Sequence, residues 1–99
     1  MESALQPVSV IIVNYNAGNL LIDCVCSALA QAEQVIVIDN ASTDLSMNLL
    51  ATEFADESRL VTLCETENLG FATACNRGIG LASQPHLLFI NPDCILGAG

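Results

Sequence analysis

Leu87-Leu88-Phe89-Ile90-Asn91-Pro92-Asp93 is an apolar run that halts at a proline and delivers one carboxylate just past its end. Three earlier runs share its character: Val8 to Val13, Val35 to Ile38 and Leu60 to Leu63. Each is short enough for a strand and too uninterrupted for a half-exposed one, which points to strands buried on both faces. Between them the spacing turns helical. Leu21, Val25, Ala28, Leu29 and Ala32 mark one buried face. Leu45, Leu49 and Phe54 mark a second, less regular one, and Ala72, Cys75, Ile79 and Ala82 a third.

Strand starts recur about every 26 residues, the length of a short βαβ crossover. The order is therefore β-α-β-α-β-α-β, an α/β arrangement that predicts a parallel four-stranded sheet with right-handed connections and helices on its faces. Ser42, Thr43 and Asp44 form a helix N-cap cluster after the second strand, and Asn68 with Gly70 makes a turn before the third helix. Leu60, Leu63 and Asn68 partly match a leucine-rich repeat, but the match does not recur around Val35 or Leu87.

Composition narrows the partners. Eleven acids against two arginines, with no lysine, give a formal net charge of -9. Neither a nucleic-acid backbone nor an anionic membrane surface suits such a segment. A phosphate-bearing ligand would need a metal ion, backbone N–H groups, or Arg59 and Arg77, and without lysine there is no Walker A loop. No stretch approaches the roughly 18 unbroken apolar residues of a membrane span, and Met1-Glu2-Ser3 lacks the basic start of a secretory signal, so the segment reads as soluble.

Five cysteines without a CxxC fit a reduced, intracellular setting. Cys24 and Cys26 stand two apart, so on a helix they point away from each other and cannot share a metal.

In a parallel sheet the strand ends converge on one edge, where ligands bind. Asn14-Tyr15-Asn16 follows the first strand, Asp39-Asn40-Ala41-Ser42-Thr43-Asp44 closes the second, and Asn91-Pro92-Asp93 follows the fourth. These short polar side chains suit a hydroxylated, phosphorylated ligand. The glycine-rich dinucleotide fingerprint is missing, and the first strand lacks the acidic pair of a phosphorelay receiver. On the residues alone, Asp39 also fits a turn cap, Asp93 a Pro-Asp turn, and Arg77 a solvated helix position. His86 reads as a surface loop residue at the opposite edge.

Four blocks together, Val8 to Asn16, Val37 to Asp44, Asn68 to Ile79 and Leu88 to Asp93, resemble the successive blocks of glycosyltransferase family 2. Asn91-Pro92-Asp93, where many relatives carry an acidic Asp-x-Asp, resembles the rhamnosyltransferase-like branch. Leu45 and Leu69 stand where relatives often carry glycine, and Asn91 replaces the first acid of the metal motif.

The resemblance implies a Rossmann-like three-layer sandwich of truncated GT-A type. Residues 1–99 would form a single nucleotide-sugar-binding donor domain, the N-terminal part of a longer, inverting enzyme. It implies that Asp39 contacts the base or ribose of a nucleoside-diphosphate sugar and that Tyr15 flanks the base. Asn14, Asn16, Asn68, Arg77 and Asn91 would complete the donor site, and Asp93 would hold a divalent cation, Mg or Mn. The acceptor would be a glycan or lipid-linked sugar, used in cell-surface polysaccharide synthesis on the cytoplasmic side. Its site and the catalytic base would lie beyond Gly99, so no catalytic residue is assigned here. The apolar excess further suggests a homo-oligomer.

Overall fold

The computed structural model describes residues 5–97; Met1-Glu2-Ser3, considered above for a leader, and Gly99 lie outside the described residues. The elements are β1 (Gln6–Asn14), α1 (Leu20–Leu29), β2 (Ala32–Asp39), α2 (Ser46–Glu53), β3 (Leu60–Cys64), α3 (Phe71–Leu81) and β4 (His86–Ile90). The order is the one the sequence predicts. All strand pairings are parallel, and the sheet runs β3-β2-β1-β4.

The chain thus winds outward from β1 to β3, then crosses back to lay β4 on the other side of β1. Right-handed crossovers then put α1 and α2 on one face and α3 on the other. The core divides accordingly. Val10, Ile12, Val35 and Val37 pack with Leu21, Val25, Ala28 and Leu50. Ile11, Ile36 and Ile38 pack with Ala74 on the opposite face. Successive residues of β1 and β2 serve alternate layers, which is why both strands read as unbroken apolar runs.

Five expectations need correction. β3 and β4 are edge strands, not strands buried on both faces: β4 leaves Leu87 40%, Leu88 37% and Phe89 41% exposed. An apolar run records what side chains can bury, not how many neighbours the topology supplies. Ala32 opens β2 and is not the last residue of the helical face. His86 likewise opens β4, pairing with Val8, though it remains exposed.

The other two corrections concern helix phase. α2 buries Ser46 and Leu50, while Leu45 and Leu49 are 68% and 41% exposed. The helix is turned so that the Ser46 hydroxyl reaches Asn14, and that polar bond outweighs the apolar pattern. α3 buries Ala74 and Gly78, leaving Ala72 exposed and Ile79 44% exposed. Small residues face the sheet there because α3 lies close to it: a Cβ on Gly78 would stand 2.6 Å from Ile11 Cγ2.

Gly78→Ala tests this close approach. Alanine gains about 1 kcal/mol of helix propensity, whereas overpacking against a fully buried β-branched side chain costs about 1–3 kcal/mol. The packing cost is expected to win, and urea denaturation should show a lowered midpoint. A raised midpoint would mean that α3 sits farther from Ile11.

Candidate functional site

In this strand order the direction of winding reverses between β1 and β4, so the crevice at their carboxyl ends is the topological switch point, where open α/β sheets bind ligands. Asn14 ends β1 opposite Asp39 of β2, and Ile12 stands opposite Ile90, the last residue of β4. Neighbouring strands lie ~4.8 Å apart, so the ends of β2 and β4 flank that of β1 with roughly 10 Å between them. That span suits a nucleoside at one end and its phosphates at the other.

A buried polar network ties the first two loops together. Asn14 is fully buried, and its amide donates to Asp39 Oδ1 at 2.9 Å, Ser46 Oγ at 2.9 Å and Ser42 Oγ at 3.2 Å. Its own Oδ1 accepts the Ala17 N–H. Asp39, 4% exposed, also accepts the Ser42 hydroxyl on Oδ1 and the Ser42 N–H on Oδ2. Asn16, at φ 54°, accepts the N–H groups of Thr43 and Asp44 on its side-chain oxygen. A left-handed conformation is one that asparagine tolerates better than most residues.

Asp44 completes the clasp. Its carboxylate accepts the Gly18 N–H at 3.0 Å, and also the Ser46 N–H and hydroxyl. It therefore satisfies the first N–H of α2, although Leu45 occupies the N-cap position without a side-chain bond. The expected cap cluster is corrected to this single residue: Ser42 serves Asp39 and Asn14 instead.

The Ser46 bonds, followed by the Gly18 N–H, hold the Asp44 carboxyl below its ordinary range. A depressed folded-state value means that this clasp contributes fully above the ordinary aspartate range and is lost as pH falls through the lower, folded value. In an NMR titration the Gly18 and Ser46 amides should therefore shift together, below the range of an unperturbed aspartate. Shifts centred at the ordinary value would show that the carboxylate is not so held.

Tyr15 projects from the same loop, 53% exposed. Just past Asp39, at the same end of β2, Asn40 is buried and its amide bolts the strand to the loop before α3, donating to the Gly70 carbonyl and accepting the Leu69 N–H. Asn68 accepts the Gly70 N–H at 2.9 Å, and Gly70 takes φ 85° as the N-cap of α3, so the expected turn is present. Asn68 thereby shapes the loop.

Asn91 and Asp93 are exposed in the turn after β4. The Asn91 carbonyl accepts the Cys94 N–H and the Cys24 thiol. Burial, followed by the nearness of Cys94 and Asp93, pushes the Cys24 thiol up to about 11. Cys24 is thus a neutral packing group, while Cys26 on the same helix is exposed, as the two-residue spacing predicts.

Of the two arginines, Arg59 is committed to internal partners, and Arg77 makes one long contact that leaves its side chain half exposed. Arg59 lies at the amino edge of the sheet, donating to the carbonyls of Leu29 and Ala32 and pairing with Glu57. Arg77 Nε stands 3.7 Å from Glu65 Oε2, a nearly buried carboxylate oxygen with no hydrogen bond. Sequence reasoning passed over Glu65, Asn40 and Ser46. Asn40 lay in plain view inside a polar loop, but nothing in the sequence marks it as buried.

No group of three or more His, Cys, Asp or Glu side chains is arranged for a metal among the described residues. One exposed carboxylate with an adjacent carboxamide fits a cation that arrives with a diphosphate, since magnesium-type ions are commonly held by one or two carboxylates plus substrate oxygens and water. It does not fit a tightly held resident ion. A cavity of about 310 Å³ lined by Met47, Leu50, Phe54 and Leu60 lies between α2 and β3, away from these residues.

The sequence pattern of "Glycosyl transferase family 2" matches residues 9–97. The uncharacterized glycosyltransferase YibD of Escherichia coli is 34% identical over 96 residues, covering 94% of this chain and 28% of YibD. The succinoglycan biosynthesis protein ExoU of Rhizobium meliloti is 34% identical over 93 residues, covering 92% of this chain and 27% of ExoU. The chain thus spans under a third of either relative. Among solved structures, the mannosyltransferase PcManGT of Pyrobaculum calidifontis, in complex with GDP-Man and Mn2+, superposes with a TM-score of 0.82 at 24% identity. The match covers 95% of this chain and 29% of PcManGT.

Proposed function

We infer the function from one premise: the chain belongs to glycosyl transferase family 2, whose pattern covers residues 9–97. Its α/β sheet is GT-A-like, as the superposition on PcManGT shows. On that premise the chain is the donor-binding portion of an inverting glycosyltransferase, moving a sugar from a nucleoside diphosphate to a glycan or lipid-linked acceptor. The observation that carries this reading is the switch-point crevice, flanked by Asn14-Tyr15-Asn16 on one side and Asn91-Pro92-Asp93 on the other.

Asp39 and Tyr15 are assigned to the nucleoside. Both oxygens of Asp39 already accept internal bonds, but a carboxylate has about four lone-pair sites, leaving room for a ligand donor. Asn14, Asn16 and Asn68 act by holding the loops that surround the donor. Asp93, with Asn91 beside it, faces the diphosphate and would share a divalent cation with it; that ion supplies Lewis-acid stabilisation of the departing nucleoside diphosphate. The commitment of Arg59 to internal partners supports this need for a cation. Arg77 is assigned to the donor only through its half-exposed guanidinium.

No described residue has the placement of a catalytic base. The base and acceptor site are therefore assigned to further chain in a full-length enzyme, in keeping with the 28% coverage of YibD. The donor class proposed first is deoxythymidine diphosphate rhamnose, then uridine and guanosine diphosphate sugars; PcManGT, bound to GDP-Man and Mn2+, supports the wider class. The role proposed is cell-surface polysaccharide synthesis, with the cytoplasmic face as its proposed setting; the name of ExoU, a succinoglycan biosynthesis protein, supports a part in polysaccharide synthesis. No helix among the described residues is long and apolar enough to cross a membrane.

Calorimetric titration with nucleoside diphosphates tests the reading. Binding that strengthens with manganese or magnesium is expected, and the metal alone should bind weakly. Failure of every nucleotide to bind would overturn it. The alternative reading is a non-catalytic nucleotide-binding module derived from such an enzyme. Sugar transfer by a full-length protein would exclude that alternative.

A further inference from the structure

The hydrogen bonds around Asn14 run in a fixed direction. Its Oδ1 accepts the Ala17 N–H, so the amide nitrogen is the end that meets the surrounding oxygens. Three lie in reach: Asp39 Oδ1 and Ser46 Oγ at 2.9 Å each, and Ser42 Oγ at 3.2 Å. A carboxamide nitrogen carries two hydrogens, and the two shorter contacts take them. Both hydroxyls have their protons committed elsewhere. Ser42 donates to Asp39 Oδ1 while its oxygen accepts the Asn16 N–H, and Ser46 donates to Asp44 Oδ1. The protons thus run outward from Asn14, directly to Asp39 on one side and through Ser46 to Asp44 on the other.

Ser46 is the member on which this direction depends. An ionised carboxylate only accepts, so Asp44 draws the Ser46 hydroxyl proton to itself and leaves the oxygen to accept from Asn14. A hydroxyl turned the other way would meet the amide hydrogens head-on. The amide would then have to flip, losing the Ala17 bond and setting its oxygen against the Asp39 carboxylate with no proton between them. Ser46 is itself fully buried and cannot reach a ligand.

The result at Asp39 is one open position. Oδ1 accepts two bonds, from Asn14 and Ser42, whereas Oδ2 accepts one, from the Ser42 N–H. With two lone-pair sites on each oxygen, the site left over is on Oδ2. Resting on the reading of Asp39 as the nucleoside contact, we propose that Ser46 is a positioning residue for the donor nucleoside. Fixed by Asp44, it orients the Asn14 amide, which holds Asp39 with the open Oδ2 site turned to a ligand N–H or O–H.

Calorimetric titration of a nucleoside diphosphate, with and without manganese, tests this on the parent, Ser46→Ala, Ser46→Cys and Asp39→Asn. Losing the Ser46 acceptor should weaken binding about tenfold. Cysteine nearly keeps the volume but accepts weakly, so Ser46→Cys should weaken binding by a smaller factor, and it decides the matter where the alanine variant does not fold. Manganese should strengthen binding by the same factor in parent and Ser46 variants, because Asp93 lies at the other end of the crevice. In the Asp39→Asn background either change at Ser46 should cost no more than about twofold further, since its effect passes through the Asp39 carboxylate. A role confined to loop stability would cost the same in both backgrounds.

Parental affinity in the folded Ser46 variants, or an equal loss in both backgrounds, would overturn the proposal while leaving the donor-binding reading in place. A parent that binds no nucleotide would overturn that reading and the proposal with it.

Discussion

Asp39→Ala is expected to produce the largest loss, because it acts on both stability and ligand binding. The carboxylate is 4% exposed and accepts bonds from the Asn14 amide, the Ser42 N–H and the Ser42 hydroxyl. Removing it strands the Ser42 N–H and loosens Asn14, which keeps only its bonds to Ser42, Ser46 and Ala17. Charge-assisted bonds of this kind contribute roughly 1.5–3 kcal/mol each, and their losses are not additive within one network. A destabilisation of about 3 kcal/mol follows, lowering the melting temperature of a domain this size by roughly 12–24 °C. Where the variant remains folded, nucleoside affinity should fall about tenfold to a hundredfold, with or without metal. A variant that melts like the parent would show that the network does not hold the loop. One that binds nucleoside like the parent would remove Asp39 from the donor site.

Asp93→Ala should behave in the opposite way. The residue is exposed in the turn after β4, and its recorded side-chain contact is a 4.0 Å approach by the Cys94 thiol. Folding stability should change by less than about 0.5 kcal/mol. Binding of a nucleoside diphosphate, however, should lose its dependence on manganese or magnesium, costing roughly tenfold to a hundredfold in affinity at saturating metal. Bare nucleoside should bind as before. The pair of variants thus separates the two ends of the crevice: one loses nucleoside, the other loses metal. Full metal dependence in the Asp93 variant would mean that other groups hold the cation.

The two residues also differ in how they could be read. Both follow apolar runs, and the sequence presents them alike as acids delivered past strand ends. Their environments diverge because β2 lies between two strands whereas β4 lies beside one. Asp39 is enclosed by the loops of β1 and β2 and becomes a structural acceptor as well as a candidate contact. Asp93 remains in solvent. Local sequence carries the chemistry of each group but not the number of neighbours around it.

What the sequence determined by itself was the succession of elements, the parallel sheet and the meeting of three polar loops at one edge. Those features rest on period, run length and turn chemistry, which act over a few residues and survive any packing. The tertiary structure alone decided the strand order, and with it which runs were buried and which became edges. It also decided helix phase. Ser46 rather than Leu49 faces inward because Asn14, far away in sequence, presents a buried amide that needs an acceptor. Gly78 rather than Ile79 faces the sheet because Ile11 leaves no room for a larger side chain. In both cases a single long-range contact set the rotation of a short helix, since an eight- to eleven-residue element has too few apolar positions to fix its own phase.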